Sequence, residues 1–209
     1  MSVLVLFCAL DAQTEAAVER GVANLRPEIQ AHLAGRQGAA RLRSAAAWLL
    51  FEEAMARFGV PEPQRDVQFL PSGKPVLRSG AAQFSISHSD SLVVCAVSDC
   101  VIGADVQQVR TLREGVAERC CSAQELRWLS RQEDATLGFL RLWTRKESLL
   151  KATGQGIGCD LREICCAPDA QTVLGGTPWF FEERRLSGAF ACICTPEPEP
   201  VLWQACSLE

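Results

Sequence analysis

Lysine is scarce in this chain, with three residues against eighteen arginines. Surface charge is otherwise written as Arg, so each lysine marks a place where a compact, flexible ammonium replaces a planar guanidinium fork. Lys74 lies in the turn Ser72-Gly73-Lys74-Pro75, and Lys146 and Lys151 lie in Trp143-Thr144-Arg145-Lys146-Glu147-Ser148-Leu149-Leu150-Lys151. Phosphate chemistry is one use for such groups; drift in composition is the other reading of the count. Upstream stands Gly103-Ala104-Asp105-Val106-Gln107, where strand alternation puts Asp105 and Gln107 on one face and Ile102, Ala104 and Val106 on the other. A carboxylate and a carboxamide oxygen so spaced can share a hard cation, although this segment taken alone reads better as the exposed polar face of an edge strand.

Trp143, Glu147 and Lys151 recur at i, i+4 and i+8 and so share one helical stripe. An exposed Glu147–Lys151 pair, worth about 0.3–0.5 kcal/mol, explains those two residues without any chemistry. It does not explain Lys146 beside them. In Phe84-Ser85-Ile86-Ser87-His88-Ser89, strict alternation puts His88 on the apolar face with Phe84 and Ile86. That pattern describes a core histidine unless the strand ends or kinks near Ser87. Gly154-x-Gly156-x-Gly158 follows a helix instead of opening one, which makes it a cap and turn.

The elements that must position these residues are legible in outline. Val3–Leu10 reads as a first strand, with Asp11 and Thr14 as caps for a helix striped by Val18, Val22 and Leu25. Pro27 starts a short helix through Leu33, and a longer one runs from about Ala40 to Phe58, closed by Gly59. Strands are expected at Val67–Leu70, Pro75–Leu77, Phe84–Ser87, Leu92–Ser98 and Val101–Val109, the last two forming a hairpin across Asp99-Cys100. Ser122-x-x-Glu125 is a capping box for a helix through Leu129, and a helix over Ala135–Ala152 stops at Gly154. The remainder reads as strands at Leu161–Cys166, Trp179–Glu183, Ala189–Cys194 and Val201–Cys206. Strand, helices and strands thus recur, predicting an α+β fold of two similar lobes, residues 1–100 and 101–209, with a ligand at their interface.

Composition excludes several classes. A net charge of −4 argues against a nucleic-acid binder, and no apolar run approaches the ~18 residues that span a bilayer. The first strand lacks a basic leader and a cleavage site, so a cytoplasmic, soluble monomer is expected. The eleven cysteines contain no C-x-x-C pair, and the histidines are only His32 and His88, so reduced structural thiols are expected instead of zinc or disulfides.

Taken in order, Gly73-Lys74-Pro75, Phe84–Ser89, Ile102-Gly103-Ala104-Asp105-Val106, Ser122-x-x-Glu125 and Trp143-x-x-Lys146-Glu147-Ser148-x-x-Lys151-x-x-Gly154 span roughly residues 40–158. This series resembles the 4′-phosphopantetheinyl transferases of the larger, single-chain, two-lobe type that activate carrier proteins of polyketide and peptide synthesis. The resemblance implies transfer of phosphopantetheine from coenzyme A (CoA) to a carrier-protein serine, with Mg²⁺, releasing 3′,5′-ADP. It implies Asp105 and Glu147 as magnesium ligands, with Gln107 standing where relatives commonly carry a second acid. It further implies phosphate contacts by Lys146 and Lys151, a general-base role for Glu147, and a grip on the nucleotide end of CoA and its 3′-phosphate by Arg43, Lys74 and His88, with Ser87 beside them. A CoA-binding relative without transfer would keep Arg43, Lys74 and His88 but spoil Asp105 or Glu147, and both acids are present. A docking scaffold would need neither acid. Arg113, Arg119, Arg127 and Arg131 are either a basic surface for the carrier or a solvated face.

Overall fold

Both faces of the first strand are apolar, and both are covered. Strand β1 (Val3–Ala9) turns Leu4, Leu6 and Cys8 to one core and Val3 and Val5 to another, which is why it reads as a continuous apolar run. It lies inside a four-stranded sheet of order β10-β1-β5-β4 with β4 (Gln83–Ser89), β5 (Leu92–Ser98) and β10 (Val201–Ala205). A second four-stranded sheet has the order β6-β9-β8-β7, built from β6 (Gly103–Gln108), β7 (Thr172–Leu174), β8 (Thr177–Leu186) and β9 (Ala189–Thr195). Strands β2 (Val67–Phe69) and β3 (Pro75–Leu77) form a separate antiparallel ribbon. This computed structural model describes residues 3–62 and 65–208, so residues 1, 2, 63, 64 and 209 of the expected halves lie outside it.

Helices α1 (Ala12–Gly21) and α2 (Pro27–Ala34) lead to the long α3 (Gly38–Phe58), followed later by α4 (Val116–Cys120), α5 (Ala123–Leu129) and α6 (Ala135–Thr153). Trp48, Leu50, Phe51 and Met55 of α3 are buried against Leu4, Leu6, Phe84, Val93 and Val97 of the first sheet. On that sheet's opposite face, Val3, Val5, Val94 and Ala96 meet Ile102, Ala104, Val106, Ala191 and Ile193 of the second. Leu149 and Leu150 of α6 pack with Trp179 and Cys194 on the second sheet's far side. The layers therefore run α3, sheet, sheet, α6. The fold is α+β, as expected.

Several elements differ from expectation. β5 and β6 are not a hairpin: β5 is already paired on both edges by β1 and β4, while β6 pairs with β9, so residues 99–102 carry the chain from one sheet to the other. Leu161–Cys166 contains a 3₁₀ turn at Leu161–Glu163, started by the Asp160 carboxylate accepting from Arg162 N, instead of a strand. The short β7 was not anticipated. The strand β10, expected in the second half, returns to the first sheet and runs parallel to β1. All eleven cysteines are free thiols.

Two devices position β6 beside the cleft. β4 and β6 are edge strands of different sheets and share no backbone ladder. Instead the hydroxyls of Ser85, Ser87 and Ser89 accept from the backbone N–H groups of Ala104, Val106 and Gln108 at 2.9, 3.3 and 2.9 Å. Alternation along β4 aligns the three serines with every second amide of β6, and so an edge that would otherwise leave buried donors unpaired is satisfied. On its other side β6 presses on α6. A Cβ built on Gly103 would lie 1.8 Å from the carbonyl oxygen of Ser148 and 2.5 Å from the amide of Ala152.

The close approach at Gly103 leaves no room for a methyl group. Gly103→Ala should destabilise the protein by about 3 kcal/mol or fail to fold, since strand and helix must separate to admit it. A chemical-denaturation midpoint unchanged from wild type would show that the contact yields freely.

Candidate active site

The β6–α6 contact brings the two acids together. Asp105 projects from the α6-facing side of β6 and is 2% exposed. Its Oδ1 accepts from Ser87 Oγ at 2.8 Å and from Lys151 Nζ at 2.7 Å, and its Oδ2 accepts from Gln107 Nε2 at 3.1 Å. Lys151 Nζ also donates to Ser87 Oγ at 2.8 Å. Ser87 thus ties together β4, β6 and α6 through one hydroxyl. Glu147, one turn before Lys151 and 9% exposed, makes no ion pair with it: Lys151 has turned to Asp105. Glu147 Oε1 is buried without a hydrogen-bond partner. Burial raises its carboxyl above the ordinary value and the negative charge of Asp105 raises it further, against the opposing pull of Lys151.

These groups open on a cleft of about 460 Å³. The expected stripe is realised, since Trp143, Glu147 and Lys151 all line it, with Asp105 and Gln107 from β6. The first half of the chain contributes Ser44 and Trp48 of α3, Phe69 of β2, Gly73, Pro75, Ser87 and His88. β4 neither ends nor kinks at Ser87 but continues to Ser89. His88 does share the face of Phe84 and Ile86, yet that face runs out from under α3 at its last residue and meets the cleft. Burial, then the charges of Lys151, Arg43 and Arg36, hold its imidazole below the ordinary value. Arg43 is half-buried on α3 and acts on His88 through its charge.

Two lysines expected at phosphate have other partners. Lys146 is 1% exposed and bound to Glu125 Oε2 at 2.8 Å, to the carbonyl of Leu161 at 2.7 Å and to that of Ile164. Glu125, itself fully buried, also accepts from Ser122 N at 2.7 Å as half of the capping box and from Cys166 N at 2.8 Å. Every donor of the ammonium is used away from the cleft, so Lys146 locks α5, α6 and residues 161–166 together. The signal was in the spacing: Leu142, Leu149 and Leu150 lie at i−4, i+3 and i+4 of Lys146, on the buried face of α6. Lys74 donates to the carbonyl of Ala152 at 2.7 Å, satisfying the end of α6, which Gly154 closes in the left-handed conformation at φ 73°. Burial lowers its ammonium below the ordinary lysine value. It lines a second, mostly apolar cavity of about 300 Å³ with Phe84, Ile86, Leu150 and Gly154, which shares Glu147 and Lys151 with the first.

Sequence reasoning missed His32 and Arg36, which line the cleft from α2 and the segment after it, and the aromatic side chains Trp48 and Phe69. No local motif contains them; they converge only through the packing of α2, α3 and the β2–β3 ribbon. Among the described residues no group of three His, Cys, Asp or Glu side chains is arranged to hold a metal ion. Two carboxylates, one with an orphaned buried oxygen, nevertheless form a donor set that a hard divalent cation with substrate oxygens would complete.

Two outcomes test this geometry. Removing Glu125 as Ala strands a buried ammonium and should cost about 3–5 kcal/mol, whereas Lys146→Met with Glu125→Gln removes the charge and should recover most of that loss; denaturant unfolding of the variants decides it. Glu147 has a raised carboxyl, so between its unfolded and folded values the native state binds more protons and stability falls as pH rises. Glu147→Gln should therefore melt higher than wild type at pH 7 without divalent cations, with the gap closing toward pH 4. An equal gap at both values would contradict the assignment.

Comparison with known proteins agrees with the motif series. Residues 101–192 match the family model described as the 4′-phosphopantetheinyl transferase superfamily. The chain is 31% identical over 151 residues to the 4′-phosphopantetheinyl transferase psf-1 of Bacillus pumilus, covering 68% of this chain and 65% of that protein. It is 40% identical over 76 residues to the transferase gsp of Aneurinibacillus migulanus, covering 35% and 32% of the two chains. With HetI of Nostoc sp. it shares 37% identity over 116 residues, covering 51% and 48%. In each case the match spans less than two thirds of the relative's own length. The matched segment, residues 101–192, contains β6, the Lys146–Lys151 run and both members of the acid pair, and through it the chain is similar to the 4′-phosphopantetheinyl transferase superfamily.

Proposed function

We propose that this chain transfers the 4′-phosphopantetheine group of CoA to a serine hydroxyl of an acyl or peptidyl carrier protein, releasing 3′,5′-ADP. The observation that carries the reading is the orphaned, buried carboxylate oxygen of Glu147 facing Asp105 in a cleft that also gathers Lys151, His88, His32 and Arg36. Such a cleft suits a pyrophosphate ester that must be gripped at both phosphates and attacked by a neutral hydroxyl. The residues that would hold Mg²⁺ are Asp105 and Glu147, with Gln107 beside them; when bound, the ion neutralises charge on the pyrophosphate oxygens.

The remaining work falls to side chains. Lys151 is already held at the acid pair by Asp105 and Ser87, so its ammonium meets a leaving phosphate without reorganising. Glu147 is made more basic than an ordinary carboxylate by burial and by Asp105, which fits it to take the serine proton. Ser87 and His88 border the nucleotide, with Arg43 adding positive charge behind His88. Lys74 serves by holding the 72–75 turn against α6, so that Gly73 and Pro75 form part of the cleft wall. The apolar cavity next to Glu147 and Lys151 suits the pantetheine arm. On this reading residues 1–100 hold the nucleotide end of CoA and residues 101–209 supply the metal and transfer residues, in a cytoplasmic monomer that needs neither nucleic acid nor membrane.

Mass spectrometry of apo carrier proteins incubated with CoA, Mg²⁺ and this protein should show one added phosphopantetheine, and none in excess chelator. Asp105→Asn and Glu147→Gln should each lower kcat by about a hundredfold or more, while Gln107→Ala loses a modest factor. Full turnover with chelator, or by Glu147→Gln, would refute the assignment. If Gln107→Ala is as inactive as Asp105→Asn, the site depends on three protein groups and not on two.

A further inference from the structure

Cys8 and Cys206 meet across the outermost seam of the first sheet, and neither thiol lines the cleft. The parallel register of β1 and β10 ends at Phe7 opposite Ala205, and Cys206 N donates to the Phe7 carbonyl at 2.9 Å. The next rung therefore sets Cys206 against Cys8. Residues paired in a ladder point to the same side of the sheet. Leu6 and Cys8 face α3, and so do their neighbours on β10. Arg57 of α3 donates to Gln204 Oε1 at 3.2 Å and to Cys206 Sγ at 3.8 Å. The backbone amide of Leu208 reaches the Cys8 sulfur as well. Strands of one sheet run about 4.7–4.9 Å apart, inside the Cα separation of about 4.4–6.8 Å that a disulfide spans.

We propose that Cys8 and Cys206 are a redox-sensitive thiol pair, which a peroxide oxidises to a disulfide that closes the β1–β10 seam covalently. The two thiols are unequal. Cys206 is half-buried, next to a surface cavity of about 740 Å³ to which Glu53, Arg57, Ser207 and Leu208 contribute, whereas Cys8 is 2% exposed. Cys206 is therefore the thiol that meets the oxidant. Its thiolate attacks one oxygen of hydrogen peroxide, the O–O bond breaks, and a sulfenic acid and hydroxide result. The Cys8 sulfur then attacks that of Cys206, the S–O bond breaks, and the hydroxyl leaves as water with the Cys8 proton. Both electrons that reduce the peroxide come from the thiol pair. Thiolate supply governs the first step. Burial holds Cys206 above the ordinary thiol value, Arg57 opposes it and Glu53 adds to it. At Cys8 burial acts in the same direction, against the Leu208 amide and with the charges of Cys206 and Asp11. Oxidation is accordingly slow at neutral pH and quickens as pH rises. Competing pairs are less well placed. Cys95, Cys192 and Cys194 are fully buried, and the vicinal Cys120-Cys121 and Cys165-Cys166 each turn into two different packing clusters.

The test is a time course of full-length protein in hydrogen peroxide, with remaining thiols blocked and peptides mapped by mass spectrometry without reduction. A peptide joining Cys8 to Cys206 should appear first among the cross-links, about tenfold faster for each pH unit below the Cys206 midpoint. Cys206→Ser and Cys8→Ser should each abolish it. The bond encloses nearly the whole chain, so the oxidised protein should melt about 5 °C or more above the reduced form, and a thiol reductant should reverse the shift. If other cysteines cross-link first, or two molecules join through Cys206, the proposal is wrong. It is equally wrong if Cys206 passes to the sulfinic acid while Cys8 remains a thiol. The wild-type peptide map decides between these outcomes even if a variant folds poorly.

Discussion

The hydroxyls of Ser85, Ser87 and Ser89 hold two sheets together where no backbone ladder exists. Everything at the cleft depends on that joint. It sets β6 at a fixed offset from β4, which brings Asp105 into reach of Ser87 and leaves His88 on the opposite face, toward α3. A backbone ladder between the same strands would pair them edge to edge within one sheet. Side-chain hydroxyls instead allow the strands to meet as neighbours in different layers, and the middle hydroxyl is free to donate onward to Asp105. One residue thereby serves both the architecture and the acid pair.

Gly103 completes this arrangement from the other side. Without a Cβ, β6 lies directly on the backbone of α6 at Ser148 and Ala152, and the carboxylates of strand and helix converge in a buried space. Bringing like charges together in a desolvated cleft is unfavourable in isolation. Lys151 relieves it for Asp105, whereas Glu147 retains an unpaired oxygen. Such unrelieved polarity is the kind of local cost that persists where a ligand is expected to complete the set.

The Asp105–Gln107 face and the helical stripe were legible because both rest on strict periodicities: alternation aimed Asp105 and Gln107 together, and the i, i+4 rule aimed Trp143, Glu147 and Lys151, whereas the meeting of Asp105 with Glu147 was implied only by the resemblance. The capping box at Ser122 and Glu125 was equally local. Long-range pairing was less accessible. The apparent β5–β6 hairpin has good strand and turn signals, but a short connection does not reveal that both edges of β5 are already taken. Lys146 illustrates a different loss. Its chemical type suggested phosphate, yet its helical phase pointed inward, and the phase decided its partners. His32 and Arg36 had no motif at all, since their setting is made by Trp48 and Phe69 from distant elements.

The parallel pairing of β10 with β1 has a consequence for the order in which the molecule can be built. During synthesis β1 can find β5 after about ninety residues, but its other edge waits until residues 201–205 have left the ribosome. Until then a long, apolar strand offers unpaired amides and carbonyls to any passing strand, an invitation to mispairing. β10 thus acts as a closing seam on the sheet of β1, and that edge is most in need of shielding while the residues between β5 and β10 are being made.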